Sequence, residues 1–301
     1  MAVIETHRLT KIYGDKIGCR DVSVNCRKGE IFGFLGPNGA GKSTCVKMLT
    51  GLLFPTSGQA YVLGKPAGDL EVRRKTGYLP ENFRYQEWMT GEDLLSFHAS
   101  LYKLDRKLGR KRIEEVLETV GLKGSERYRV GTYSKGMQQR IGIASSLLSD
   151  PQVLFLDEPT SALDPIGRKE VRDIMVLLRN LGKTIFLNSH LLSEVETVCD
   201  SIAIIKNGTI LKQGNMDKIL QGKTRLQIKA GNLNRVIWMK LKEIDPELIF
   251  SGDTVEMHVG SKDEVPCIAS LLVENGCGLY ELIQRRESLE NLFISLIKGG
   301  R

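Results

Sequence analysis

The sequence predicts an α/β domain that carries a helical insertion and is followed by a small α+β unit. Three observations lead there. Short apolar runs alternate with helix-like segments up to about residue 215. Between Phe83 and about Gly131 the strand signals stop and only helical spacing continues. From about Thr224 the order becomes strand, helix, hairpin, helix, strand.

Each element has a local reason. EIFGFLG, from Glu30, and QVLFLDEP, from Gln152, are nearly continuous apolar runs ending in loop residues, as strands buried on both faces read. KTIFLNSH, from Lys183, is a third. In the insertion, Thr90 followed by Asp93 resembles a helix start, and Glu92–Tyr102 and Arg110–Val120 read as helices. Asp164-Pro165 supplies an N-cap and an N1 proline for a helix with apolar Val171, Ile174, Met175 and Leu178, ending near Gly182. SIAIIKNGTILKQG is a hairpin turning at Asn207-Gly208.

The last unit reads RLQIKA as a strand and NRVIWMKLKEI as a helix. ELIFSGDTVEMHV is a hairpin turning at Gly252-Asp253, and DEVPCIASLLVENG is a helix. GLYELIQRRE is a strand and SLENLFISLIKG a closing helix. That β-α-β-β-α-β order predicts a ferredoxin-like domain plus one helix. The expected boundaries are 1–215 for the first domain, with 83–135 as its helical part, and 224–301 for an accessory or regulatory domain.

Composition excludes several classes. With 301 residues, 41% hydrophobic and 26% charged, the chain can bury an ordinary core. No apolar run approaches the ~18 residues of a membrane-spanning helix. The start, MAVIETHRLTKIYG, lacks the apolar stretch of a signal peptide. The six cysteines form no CxxC pair and no ligand cluster with the four histidines, so free thiols in a reducing, cytoplasmic compartment are expected. A net charge of +7 fits nucleic acid, an anionic membrane surface or a solvated face. Its densest run, RKLGRKR from Arg106, precedes apolar Ile113, Val116, Leu117 and Val120 and reads as the solvated side of an amphipathic helix.

The chemistry concentrates in three stretches. GPNGAGKST comprises Gly36, Pro37, Asn38, Gly39, Ala40, Gly41, Lys42, Ser43 and Thr44, and fits G-x-x-x-x-G-K-[ST]. It follows a predicted strand and precedes helix-like VKMLTGL, the context of a phosphate-binding P-loop. Its glycines let backbone N–H groups curl around phosphates, Lys42 reaches the β/γ-phosphates, and the Ser43 hydroxyl can ligate Mg²⁺. In VLFLDEP, Asp157 ends a buried strand and would hold Mg²⁺ through its water shell. Glu158 beside it is placed to orient or deprotonate a water aimed at the γ-phosphate. A third stretch, YSKGMQQR from Tyr133, puts a serine and a glycine before another helix, a second potential anion site.

Taken in order, GPNGAGKST, YLPE, YSKGMQQR, VLFLDEP, SALD and a lone histidine after a strand resemble the ATP-binding cassette of an ABC transporter, over roughly residues 1 to 215. The resemblance implies a P-loop ATPase using ATP and Mg²⁺. It implies that Ser134, Lys135, Gly136 and Met137 form a signature loop that contacts the γ-phosphate of ATP held by a second cassette. Two ATP molecules would then be sandwiched in a head-to-tail homodimer or heterodimer. By the same resemblance Tyr13 stacks on adenine, and His190 contacts the γ-phosphate and positions the water. Asp164 crosses the dimer interface and can also N-cap its helix. Glu81, in GYLPE, stands where the family usually has Gln near Mg²⁺ and the attacking water. Lys135 and Met137 replace the first glycine and the glutamine of the usual LSGGQ, and Lys135 either adds charge near the γ-phosphate or points away. Cys45 reads as a small residue packed against the sheet, with exposure as the alternative.

A cassette without a membrane span implies the separate ATPase subunit of a multi-subunit transporter. It would be peripheral on the inner face of the membrane, docked on an integral membrane permease near Glu81 to Trp88. The tail SLENLFISLI and the motifs YSKGMQQR and YLPE resemble ABC-2 type exporters of drugs and antibiotics. A soluble ABC ATPase acting on ribosomes or nucleic acid is the alternative. The single cassette and the absence of sustained heptads weigh against it, so no nucleic-acid partner is expected. An inactive regulatory subunit is disfavoured by Glu158 and His190.

Overall fold

The computed structural model describes residues 2–220, 224–260, 263–285 and 288–298. The chain divides into two compact units, Met1–Met216 and Asp217–Arg301.

The first unit is built on a six-stranded sheet. Its order is Thr209–Asn215, Ser201–Lys206, Ile31–Leu35, Thr184–Ser189, Val153–Asp157, Thr76–Leu79, parallel except for the hairpin at one edge. The three central strands are buried at every position, which is why their sequences carry no polar alternation. Phe186 anchors the core, with ring centroids 5.4 Å from Phe32 and Phe34 and 5.8 Å from Phe155.

A second sheet, absent from the sequence expectation, is antiparallel: Lys16–Val22, Ala2–Tyr13, Ser57–Val62 and Lys65–Pro66, with Asn25–Arg27 also paired to Ala2–Tyr13. Its signal was the two-residue turn Gly14-Asp15, flanked by the register pair Tyr13↔Lys16.

The insertion contains the helices Gly91–Leu101 and Arg106–Thr119. Thr90 and Asp93 form a reciprocal capping box on the first. The second begins four residues before the expected Arg110, because the Asp105 carboxylate accepts the N–H groups of Lys107 and Leu108. A third helix, Lys135–Leu147, follows and starts at the Ser134 cap. The helix Pro165–Asn180 is capped by Asp164 and carries proline at its first turn.

The second unit has the strand order Ile249–Ser251, Thr254–Val259, Thr224–Gly231, Gly278–Arg285, all neighbours antiparallel. With helices Arg235–Ile244 and Glu264–Glu274 between strands, this is the expected ferredoxin-like order. A closing helix spans Leu289–Lys298. Arg286 and Glu287 of the expected last strand, and Gly299 of the closing helix, lie outside the described residues. Leu226, Ile228, Val255, Met257, Ile237 and Leu272 form the centre of its core.

Asp245 fastens the end of the first helix of this unit. One carboxylate oxygen accepts the His258 N–H at 2.6 Å and lies 3.3 Å from the His258 ring Nδ1. The other accepts the Glu247 N–H at 3.1 Å. Burial alone would push this carboxyl up, but the bonds from His258 and Glu247 outweigh it and hold it below the usual range. A carboxyl held low stabilises the fold above its unfolded pKa, and that contribution fades as pH falls through the folded value. Asp245→Asn should therefore destabilise the chain at pH 7 by about 1–3 kcal/mol and flatten its acid sensitivity below roughly pH 4, read by urea denaturation across pH.

Candidate active site

The register of the parallel sheet builds the site. Leu35 pairs with Ser189, Asp157 with Asn188, and Leu79 with Leu156, so four strands end together at one edge. The segments leaving that edge are Gly36–Gly41, Glu158, His190 and Glu81, placed in the crevice beyond the strand carboxyl ends. There Asn38, Gly39, Gly41, Glu81, Glu158 and His190 line a cleft of about 570 Å³ with Tyr13, Lys16, Ile17, Gly18, Lys42, Ser43 and Thr44, while Gly36, Pro37, Ala40 and Asp157 do not line it.

The P-loop shape depends on its glycines. Gly41 has φ of +103°, and a Cβ there would lie 2.1 Å from the Gly18 carbonyl oxygen. A Cβ on Gly36 would lie 2.4 Å from the Ile205 carbonyl oxygen, so Gly36 lets the loop cross the neighbouring strand closely. The helix Lys42–Leu49 begins directly after Gly41 and points its free N–H groups back into the loop. The Lys42 ammonium is 7% exposed and donates to the Gly36 carbonyl at 2.9 Å and the Pro37 carbonyl at 3.4 Å, with Glu158 Oε1 at 4.0 Å. Burial pulls its pKa down, while Glu158, Asp157 and Glu81 oppose that.

Asp157 and Glu158 are both buried. Desolvation pushes the Asp157 carboxyl up, against hydrogen bonds from Asn188 and Ser43 that hold it down. Glu158 is likewise pushed up by burial, against His190 and Lys42. Its Oε2 lies 2.7 Å from the exposed ring of His190 at Nδ1, and it also faces the His190 N–H at 3.4 Å. Glu158 adopts φ of +53°, uncommon for a non-glycine residue, and Ser161 closes the turn by donating its N–H and hydroxyl to the Glu158 carbonyl at 3.2 and 3.0 Å.

Tyr13 is 46% exposed at the mouth of the cleft, with the Lys11 ammonium 5.3 Å from its ring centroid. Sequence reasoning missed Gly18. A Cβ there would lie 2.9 Å from the Tyr13 ring, so glycine makes room for it, and a glycine inside a strand was the available signal. Asn188 was also missed, although it supports Asp157 from the adjacent strand. Cys45, on the helix Lys42–Leu49, is 2% exposed and belongs to the core with Phe34 and Phe155, in line with the packed reading.

The structure does not bring Ser134, Lys135, Gly136, Met137 or Asp164 into this cleft. Ser134 caps its helix by accepting the Met137 N–H at 3.2 Å, and Asp164 caps the next by accepting the Gly167 N–H at 2.8 Å. Ser134 and Lys135 are exposed. A Cβ on Gly136 would meet only ordinary contacts at 3.9 Å or more, so nothing within this chain requires glycine there.

Comparisons with known proteins give the family. The ABC transporter family model matches residues 19–161. An ABC transporter ATP-binding protein of Nostoc sp. is 37% identical over 99% of this chain and 90% of its own length. The bacitracin transport ATP-binding protein BcrA of Bacillus licheniformis is 36% identical over 99% of this chain and 98% of its own. Among solved structures, the ATP-binding subunit of an ABC transporter superposes with a TM-score of 0.65 at 30% identity, over 72% of this chain and 91% of its own. An ATP-binding cassette solved as a dimer in a post-hydrolysis state with ADP and Pi gives 0.64 at 25%, over 71% and 98%. The chain belongs to the ATP-binding proteins of ABC transporters, and it is an ATPase subunit that powers transport.

Gly41→Ala should leave the fold in place by circular dichroism but weaken ATP binding at least about tenfold by fluorescent-nucleotide titration, because the new methyl must displace Gly18 and the loop with it.

Proposed function

We propose that this chain is the ATPase of an ABC-2 type exporter, working as a pair of cassettes around two nucleotides beneath a membrane permease. The observation that carries the reading is the convergence of Lys42, Ser43, Glu81, Glu158, His190 and Tyr13 on one cleft at the carboxyl edge of the sheet. The name of the bacitracin transport relative supports the export class. Among the described residues no helix is long and apolar enough to cross a membrane, and in this reading the permease supplies the transport path.

In this reading Tyr13 stacks on adenine and the P-loop N–H groups and Lys42 take the phosphates. Ser43, Asp157 and Glu81 fit a hard divalent cation, since hydroxyl and carboxylates already meet there. In such a site Mg²⁺ would be held mainly by phosphate oxygens and water. When bound, that ion would neutralise phosphate charge. Glu158 accepts a proton from the water that attacks the γ-phosphate. His190 fixes the carboxylate through Nδ1 and keeps Nε2 for the phosphate. Ser134 and Gly136 close the nucleotide of the second cassette, consistent with a serine-capped helix start that is exposed and a glycine its own chain does not need.

Glu158→Gln should keep ATP binding but lower turnover by roughly 10²–10⁴-fold, and trap an ATP-dependent dimer that co-purifies with an integral membrane protein. Wild-type-like turnover would remove Glu158 as the base. Recovery with ribosomes or nucleic acid instead of a membrane protein would overturn the exporter assignment and leave the ATPase chemistry standing.

A further inference from the structure

Arg140 lies on the helix that follows Ser134, with its side chain 14% exposed. Its Nη1 donates to the carbonyls of Val120 at 3.2 Å and Gly121 at 3.0 Å, the two residues directly after the helix Arg106–Thr119. A cation there complements the negative end of that helix and fixes the insertion to the Ser134 helix. The Nε donor is buried, has no hydrogen-bond partner, and lies 3.5 Å from Glu170 Oε2. A buried charged donor left unsatisfied is costly, so any small approach of Glu170 is favoured.

Glu170 belongs to the helix Pro165–Asn180, whose start is tied to the catalytic turn. Asp164 caps it at Gly167, Arg168 Nε donates to the Leu163 carbonyl at 3.0 Å, and Ser161 bonds the Glu158 carbonyl. The same helix start also packs beside the Ser134 loop. A Cβ on Gly136 would lie 3.9 Å from Gly167 Cα and 4.0 Å from Glu170 Oε2. The short segment from Ser161 to Asp164 therefore joins the turn after Glu158 to the start of this helix, and Glu170 on the same helix lies against Arg140 of the Ser134 helix.

We propose that Arg140 and Glu170 form a latch coupling, within one chain, the catalytic turn after Glu158 to the Ser134–Gly136 loop. They are positioning residues. Engagement of Ser134 and Gly136 by the second cassette's nucleotide draws the Ser134 helix and Glu170 together, Nε gains its hydrogen bond, and the pull reaches Glu158. This rests on the head-to-tail reading of the Ser134 loop. It adds the route by which occupation of one nucleotide site reports to the other.

The test uses the purified full chain carrying Glu170→Ala, a half-exposed position where loss of fold is not expected. ATP affinity of the dilute chain should stay within about twofold and the melting temperature within about 3 °C. In a Glu158→Gln background, the ATP concentration giving half-maximal dimerisation by analytical ultracentrifugation should rise roughly tenfold, and with Glu158 intact the Hill coefficient of turnover should fall toward one. Glu170→Asp should recover part of both. Unchanged dimerisation and cooperativity would overturn the latch, as would losses that merely follow a fall in melting temperature. Ser134→Arg serves as the parallel control. If it abolishes dimerisation while Glu170→Ala does not, only the latch is wrong. If it has no effect, the head-to-tail reading is wrong and the latch falls with it.

Discussion

The parallel register around Ile31–Leu35 is the constraint on which the site depends. With Ser201–Lys206 on one side and Thr184–Ser189 on the other, this strand has no exposed edge, and every one of its positions is buried. The sheet can then place polar chemistry only at its ends. Because neighbouring strands finish level, the P-loop, the Asp157-Glu158 pair, His190 and Glu81 are delivered to one crevice from four stretches far apart in sequence. A shift of one strand by a residue would turn its side chains and separate these groups.

That crevice is electrostatically expensive. Burial disfavours the charged forms of Lys42, Asp157 and Glu158 at once, and it is opposed by the attraction between Lys42 and the two carboxylates and by Asn188, Ser43 and His190. A carboxyl whose pKa is raised by burial loses fold stability as pH rises through it, so the site is held together at some cost to the fold. The positive φ of Glu158 adds backbone strain at the same place. Such costs are expected where a buried carboxylate is kept for proton transfer.

Much of this was legible in the sequence, for physical reasons. Central strands announce themselves as uninterrupted apolar runs, and the P-loop is recognisable because its glycines answer backbone demands that other residues cannot meet, as Gly41 illustrates. The Asp164-Pro165 and Thr90/Asp93 caps likewise act through immediate neighbours. The antiparallel sheet escaped because its long strand Ala2–Tyr13 alternates imperfectly, broken by register shifts against each partner. Gly18 and Asn188 escaped because their roles exist only across strands, in the space for the Tyr13 ring and in support for Asp157. The link from Arg140 to Glu170 joins helices thirty residues apart in sequence and has no local pattern at all.

The central claim is that each nucleotide is enclosed by the P-loop of one chain and the Ser134 loop of another. The most direct measurement mixes two variants, Lys42→Ala and Ser134→Arg, each expected to be inactive alone, and follows ATP hydrolysis after dissociation and reassembly. In a mixed pair the P-loop of the Ser134→Arg chain faces the intact loop of its Lys42→Ala partner, so one complete site forms and a substantial part of wild-type turnover returns. If each chain instead used its own Ser134 loop, no mixture could contain a complete site, and persistent inactivity would contradict the account.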